Sequence, residues 1–345
     1  MYFALTDDQR DFSRAVRDFL RARFDLEAVR GVVEDPEGDG HPAALWSAMG
    51  EQGWLAVLVP EERDGLGLGM VDAQAIAREL GAGVAPGPWR GTVLAAEAIR
   101  LAGSGSQQEQ WLPKLASGEA VGALATRGSS ENGWQGVEYA QVADVIVAAD
   151  GAGLRILRHD EITTRALAGY DATTRLSSVA LAEGAGEPLP GGTAEVLDEL
   201  AARAAVLVAA DLVGISREAL TRTVDYDRER KQFGVPVGSF QALKHSMADL
   251  HVGVTMAEHA VLYAAHALDS GSGMDDSTAL AVAVAKAKAS DIALQVTGAM
   301  IQYHGGIGYT WEHEAHFFFK RAKRLAGTAG TADEQRRRIA ELTMN

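Results

Sequence analysis

The chain has 345 residues, 47% of them hydrophobic, and 47 acidic against 32 basic side chains for a formal net charge of -15. That length buries a sizeable core in two or three subdomains, and the acidic balance argues against nucleic acid or an anionic membrane as main partner. Cysteine is absent, which excludes disulfides, thiolate metal sites and a thiol nucleophile.

The segment from Met1 to Asp8 lacks the basic start and apolar run of a signal peptide, so a soluble, cytoplasmic protein is expected. Thr6 with Gln9 makes a capping-box pattern, and Phe12, Val16, Phe19 and Leu20 then share one helical face. A second helical segment runs from Pro42 to Gly53 and leads into the apolar run Trp54 to Pro60. The turn Asp64 to Gly69 is glycine-rich but lacks the order of a phosphate loop and reads as structural. Further helices are expected through Leu80, from Val93 to Leu101 and around Gln107 to Leu115.

From about Glu119 to Pro190 the periodicity becomes strand-like: Ala143 to Ala149, Gly153 to Leu157 and Arg175 to Leu181 are short, β-branched or alternating, and bounded by turns. This predicts a small, mostly antiparallel sheet. Long helices return at Ala194 to Arg230, Phe240 to Ser270 and Asp275 to Tyr303, followed by Thr310 to Ala326 and Ala332 to Leu342. Within the first, the apolar stretch Leu197 to Ile215 carries Arg203 and Asp211, which suits a buried helix and not a membrane span. The expected fold class is α+β, with a helical domain over 1–118, a small β domain over 119–192 and a helical bundle over 193–345.

Two segments carry chemistry. Tyr226-Asp227-Arg228-Glu229-Arg230-Lys231-Gln232-Phe233-Gly234 reads as a helix end that presents an arginine and a phenylalanine before a helix-stopping glycine. A guanidinium fork suits pyrophosphate oxygens, with an aromatic face beside it; the plainer reading is a solvated helix end. Gln302-Tyr303-His304-Gly305-Gly306-Ile307-Gly308-Tyr309 is a glycine turn between helices, where glycine permits close backbone approach to a ligand or simply serves the turn.

In this order the two segments resemble those of the acyl-CoA dehydrogenase family: Y-x3-R-x2-F-G, then the FQ pair Phe240-Gln241, then QxxGGxGY. The resemblance implies that family's fold, with a C-terminal four-helix bundle, tetrameric assembly, FAD as cofactor and acyl-CoA as substrate. It assigns Arg230, Gln232, Phe233, Gln241, Gln302, Gly305 and Gly306 to the flavin. Thr126, which keeps the threonine of the family's T-E-P strand while Arg127 and Gly128 replace the other two residues, joins them, as does Thr331.

The family's reaction takes an α-proton from the thioester with a carboxylate in a dry pocket. Matching Lys320-Arg321-Ala322-Lys323 to R-D-A-K puts Ala329 at the usual place for that carboxylate, and the alternative place falls on Ala204; neither is acidic. Glu199 and Asp211 lie on the same helix as Ala204. Asp211 reads either as a hydrogen-bonded structural residue or as a displaced base. His313-Glu314-Ala315-His316 lacks HExxH spacing and a third ligand, so no metal is expected. Trp311 to His316 instead resembles an actinobacterial branch that lacks the base, pairs with a different subunit and includes enzymes of steroid degradation. The resemblance thus implies an FAD-dependent oxidoreductase of lipid metabolism that works as a base-lacking subunit beside a second acyl-CoA dehydrogenase-like chain. It further implies an electron-transferring flavoprotein as acceptor. A self-sufficient homo-oligomer with a displaced base and a non-catalytic structural paralogue are the alternatives.

Overall fold

The computed structural model describes residues 5–151, 153–182, 184–271 and 273–344. The polypeptide packs as two compact units. One, here the helical unit, comprises Met1–Leu26, Gln74–Ala85 and Ala205–Asn345; the other, the mixed unit, comprises Glu27–Ala73 and Pro86–Ala204.

Six helices come first: α1 (Asp7–Arg23), α2 (Leu26–Val33), α3 (Ala43–Glu51), α4 (Met70–Ala82), α5 (Trp89–Ala102) and α6 (Gly105–Ser117). The α1 start is the expected capping box: the Thr6 hydroxyl accepts from the Gln9 N–H at 3.2 Å and the Gln9 side chain accepts from the Thr6 N–H at 3.1 Å. Helix α6 opens the same way on Ser104 and Gln107. Trp54 to Val59 is a series of buried turns, and the glycine-rich turn docks on it through Leu66 N–H to Ala56 O and Gly67 N–H to Val59 O. A Cβ on Gly65 would lie 1.9 Å from the Val59 carbonyl oxygen, so packing alone demands that glycine.

Eight strands follow: β1 (Gly122–Ala125), β2 (Gly128–Ser129), β3 (Gly133–Glu138), β4 (Val145–Asp150), β5 (Gly153–Arg158), β6 (Ile162–Leu167), β7 (Leu176–Leu181) and β8 (Glu187–Leu189). They form two four-stranded sheets, β1-β4-β5-β8 and β2-β3-β7-β6, where the sequence suggested one. The chain leaves the first sheet at Ala125 and enters the second at Gly128, a switch that periodicity does not signal. Among the described residues only β1 and β4 pair in parallel. Val145, Ile146 and Val147 of β4 are wholly buried, as a continuous apolar run in an inner strand should be. Ile99, Leu112, Leu115, Val145 and Val147 share one core, each fully buried aliphatic side chain contributing roughly 1.5–3 kcal/mol.

The C-terminal half is helical: α7 (Ala194–Glu229), a short hairpin of β9 (Lys231–Gln232) and β10 (Val235–Pro236), then α8 (Gln241–Ser270), α9 (Asp276–Tyr303), α10 (Ala315–Ala326) and α11 (Ala332–Met344). Helix α9 is the centre of this bundle, packed by α8, α10 and α11. Residues 310–314, expected as helix, form turns that lead into α10. No helix among the described residues is long and apolar enough to cross a membrane.

Candidate active site

Arg230 closes α7. Its N–H donates to the Tyr226 carbonyl at 2.8 Å, and its own carbonyl accepts from the Val237 N–H at 2.8 Å. Between these points the chain doubles back, Gln232 opposite Val235, with Phe233 and Gly234 at the tip. The helix therefore stops at Glu229, and Gly234 turns a hairpin instead of ending the helix as the sequence suggested. Both tip residues have positive φ, 54° and 83°, which is what a two-residue type I′ turn requires. Glycine meets that freely; a phenylalanine there is strained by about 1 kcal/mol or more. Phe233 is 93% exposed and meets Phe240 only edge-on, with centroids 6.3 Å apart. Among the described residues the Arg230 guanidinium makes no hydrogen bond or ion pair.

The glycine turn is built onto this helix end. The Tyr226 ring stacks on His304 at 4.4 Å, and His304 in turn lies 4.4 Å from the ring of His313. Burial holds the His304 imidazole below its ordinary pKa, and its Nδ1 sits 2.7 Å from the Met300 carbonyl oxygen. Gln302 is exposed in the last turn of α9, and the Ser246 hydroxyl contacts the Tyr303 hydroxyl at 2.5 Å, joining α8 to α9. A Cβ on Gly306 would meet no protein atom within 4 Å, and its φ is not left-handed. Nothing inside the chain asks for glycine there.

The remaining flavin assignments divide. Gln241 starts α8 exposed, its amide 3.4 Å from His245 Nε2. Gln232 is exposed and donates to the carbonyl of Lys231 at 2.8 Å. Thr126 lies exposed just past β1, in the mixed unit. Thr331 is taken up locally: its N–H and hydroxyl both donate to Glu334 Oε2, at 2.7 and 2.9 Å, as the cap of α11.

For the base, Ala329 sits in a left-handed conformation, φ 53°, followed by Gly330 at φ 89°. Asp211 is 2% exposed and forked by Arg321, Nε to Oδ1 at 3.1 Å and Nη2 to Oδ2 at 2.7 Å. Arg321 stands where the R-D-A-K pattern has its aspartate, so the buried pair supplies its own opposite charge. Ala204 lies in the mixed unit beside Glu199, whose carboxylate is bound to Arg203 at 2.6 Å. One carboxylate that the sequence did not single out is exceptional: Asp227 is 1% exposed, neither oxygen has a partner, and burial pushes its pKa up to about 6. It is too enclosed to meet a substrate.

His313 and His316 are engaged with backbone: His316 Nδ1 lies 2.7 Å from the His313 carbonyl oxygen, and His313 Nδ1 accepts from the Ala315 N–H. Behind the histidine stack, a cleft of about 770 Å³ opens between α1, α4 and α7. Its five arginines, Arg17, Arg21, Arg78, Arg217 and Arg222, are all ion-paired with Glu79, Glu218 or Glu258.

Comparison with known proteins shows the family. Residues 6–119 match the model of the acyl-CoA dehydrogenase N-terminal domain and residues 190–344 that of its C-terminal domain. The chain is 37% identical over 338 residues to the acyl-CoA dehydrogenase IpdE2 of Mycolicibacterium smegmatis, covering 97% of this chain and 98% of that one. The chain belongs to the acyl-CoA dehydrogenase family. It shares its fold with the ChsE4-ChsE5 complex from Mycobacterium tuberculosis (25% identity, TM-score 0.87, 99% of this chain and 98% of that one). It is likewise similar to the Tcur3481-Tcur3483 steroid ACAD (24% identity, TM-score 0.87, 98% of each chain). Membership makes the chain an FAD-dependent oxidoreductase by family. The matches to the two domain models leave 120–189, the stretch that holds all eight strands of the two large sheets, outside them.

Proposed function

We propose that this chain is the FAD-holding, base-lacking subunit of a hetero-oligomeric acyl-CoA dehydrogenase that desaturates the α,β bond of a CoA thioester. The observation that carries the reading is the pairing of an available flavin grip with an absent base. Arg230 is exposed and unpaired beside Phe233, whereas position 329 offers a methyl group and both oxygens of Asp211 are held by Arg321.

The residues present suit FAD. The Arg230 guanidinium would take the diphosphate oxygens, with Phe233 covering the adenine side and the open backbone at Gly305 and Gly306 admitting the cofactor closely. Gln232, Gln241, Gln302 and Thr126 are exposed and available for further contacts, while Thr331 shapes the loop as a cap. Bound FAD supplies the two-electron acceptor for the hydride that leaves the substrate β-carbon. The α-proton needs a carboxylate, which in this reading comes from the second subunit. Asp211 then serves as an anchor for α10 and not as a displaced base.

Exposed apolar residues on α8 favour an oligomer: Val252, Met256 and Tyr263 are 57%, 51% and 53% exposed and fall along one helical stripe. A bulky steroid CoA thioester as substrate is favoured by the Trp311 to His316 segment and by the steroid enzyme among the structural neighbours. The test is the visible spectrum of the purified chain, alone and co-purified with its second subunit, titrated with acyl-CoAs. Flavin that bleaches only in the complex is expected. Bleaching by the isolated chain would overturn the base-lacking role, and failure to retain flavin in either state would overturn the cofactor role.

A further inference from the structure

Lys286 sits in the middle of α9 with no exposed surface, among Ala283, Ala287 and Ala289. A buried ammonium is costly unless its protons are bonded, and here each has an acceptor. Nζ donates to Ser290 Oγ at 2.9 Å, to the Ala326 carbonyl at 3.3 Å and to the Gly330 carbonyl at 2.7 Å. Three protons meet three acceptors. Two of the acceptors bracket the turn that contains residue 329. From the other side Gln335 Nε2 donates to the Ala329 carbonyl at 3.3 Å, and Thr331, two residues on, is fixed by its bond to Glu334. Such a set of bonds accounts for a non-glycine residue keeping φ near +53°, a conformation L side chains disfavour. A methionine would fill the same volume. The lysine adds the polar hold.

We infer that Lys286 is the positioning residue of the 326–330 turn, fixing through the carbonyls of Ala326 and Gly330 how any side chain at position 329 is presented. The inference rests on the proposed reading only in taking 329 as the family's base position. The same helix ends in Gln302 and the glycine turn, so α9 sets both the flavin-side loop and the seat of the base.

The hold is proton-dependent. Burial pushes Lys286 down to about 8, opposed by the charge of Glu334 on α11; α8 and α10, which also pack on α9, contribute no charge that acts on it. A neutral amine can still bond both carbonyls, with the Ser290 hydroxyl turned to donate to it, but those bonds lose their charge assistance, so the turn loosens as pH rises through about 8.

Hydrogen exchange of the peptide spanning 326–331 tests this in the purified full chain, from about pH 6.5 to 9.5 and normalised to intrinsic rates. The unaltered chain should lose protection about fivefold across pH 8, as the bonds to the two carbonyls lose their charge assistance. Lys286→Met should exchange at the faster rate at every pH. A pH-independent turn in the unaltered chain overturns the inference, as does Lys286→Met with unaltered protection. If Lys286→Met does not fold, the pH series on the unaltered chain decides alone. In an A329E background, Lys286→Met should lower the acyl-CoA bleaching rate with KM unchanged; an active A329E indifferent to Lys286 sinks the inference. An inactive A329E whose turn still follows Lys286 in exchange sinks the functional reading and leaves this one standing.

Discussion

The Tyr226 hydroxyl donates to the His304 carbonyl at 3.3 Å while the two rings stack at 4.4 Å. One side chain thereby ties the end of α7, where Arg230 and the hairpin begin, to the residue that opens the glycine turn after α9. The two segments are therefore one mechanical unit. Tyr226→Phe keeps the stack and loses a single long hydrogen bond, so stability should fall by about 0.5–1 kcal/mol with FAD retained. Tyr226→Ala removes the stack and should cost about 2–3 kcal/mol and release FAD. Thermal denaturation and the flavin-to-protein absorbance ratio read the two effects. Equal loss in both variants would show that the hydroxyl, not the ring, is the link.

Arg230 and Phe233 should act on the cofactor and hardly on the fold, because among the described residues the Arg230 guanidinium makes no bond and Phe233 is 93% exposed. Arg230→Ala removes charge-assisted bonds worth about 1.5–3 kcal/mol each, an affinity loss of roughly 10- to 100-fold. The Tm of the cofactor-free chain should stay where it is. Phe233→Gly relieves a left-handed aromatic, so the cofactor-free chain should gain a little stability while FAD retention falls. Equilibrium dialysis of flavin beside calorimetry separates these. A drop in cofactor-free Tm for Arg230→Ala would mean the guanidinium is structural after all.

The sequence makes the helices plain because their apolar faces recur at helical spacing, and Thr6 with Gln9 announces a cap that the structure contains. The flavin segments are legible as order along the chain. Their geometry is not. Nothing local predicts a phenylalanine at positive φ, so the 231–236 hairpin reads as a helix end. Lys286 is not singled out by the sequence, because alanine-rich spacing shows that the helix is buried but not which carbonyls its ammonium meets. Asp211 and Arg321 are 110 residues apart, and only tertiary structure shows that they hold each other. The β region is read as one sheet because alternation marks strands but not which sheet a strand joins.

Asp211 and Arg321 give a sharp test of anchor against base. Both are nearly fully buried, and Arg321 also donates to the Ala85 carbonyl at 2.8 Å. Asp211→Ala would leave a guanidinium unpaired in the interior, a loss of about 3–5 kcal/mol. A base would behave differently: turnover would collapse while Tm held. Calorimetry of Asp211→Ala and Asp211→Asn beside the acyl-CoA bleaching rate of the assembled complex distinguishes them. An unchanged Tm with lost bleaching would return Asp211 to catalysis.

Asp227 should make the fold lose stability as pH rises through the weakly acidic range. Desolvation alone raises its pKa from the usual 3.8 to about 6, and no partner offsets the charge. Between these values the folded chain holds a proton that the unfolded chain has released, so folding is favoured at the acidic end. Above about 6 the full penalty applies, about 2–3 kcal/mol. Asp227→Asn removes the charge and keeps the shape. Its Tm should match that of the unaltered chain near pH 4 and exceed it increasingly up to about pH 6.5, then run parallel. Calorimetry at a series of pH values reads the gap directly. A gap that fails to widen would mean that the carboxylate is satisfied in solution, by water or by a partner subunit closing over the end of α7.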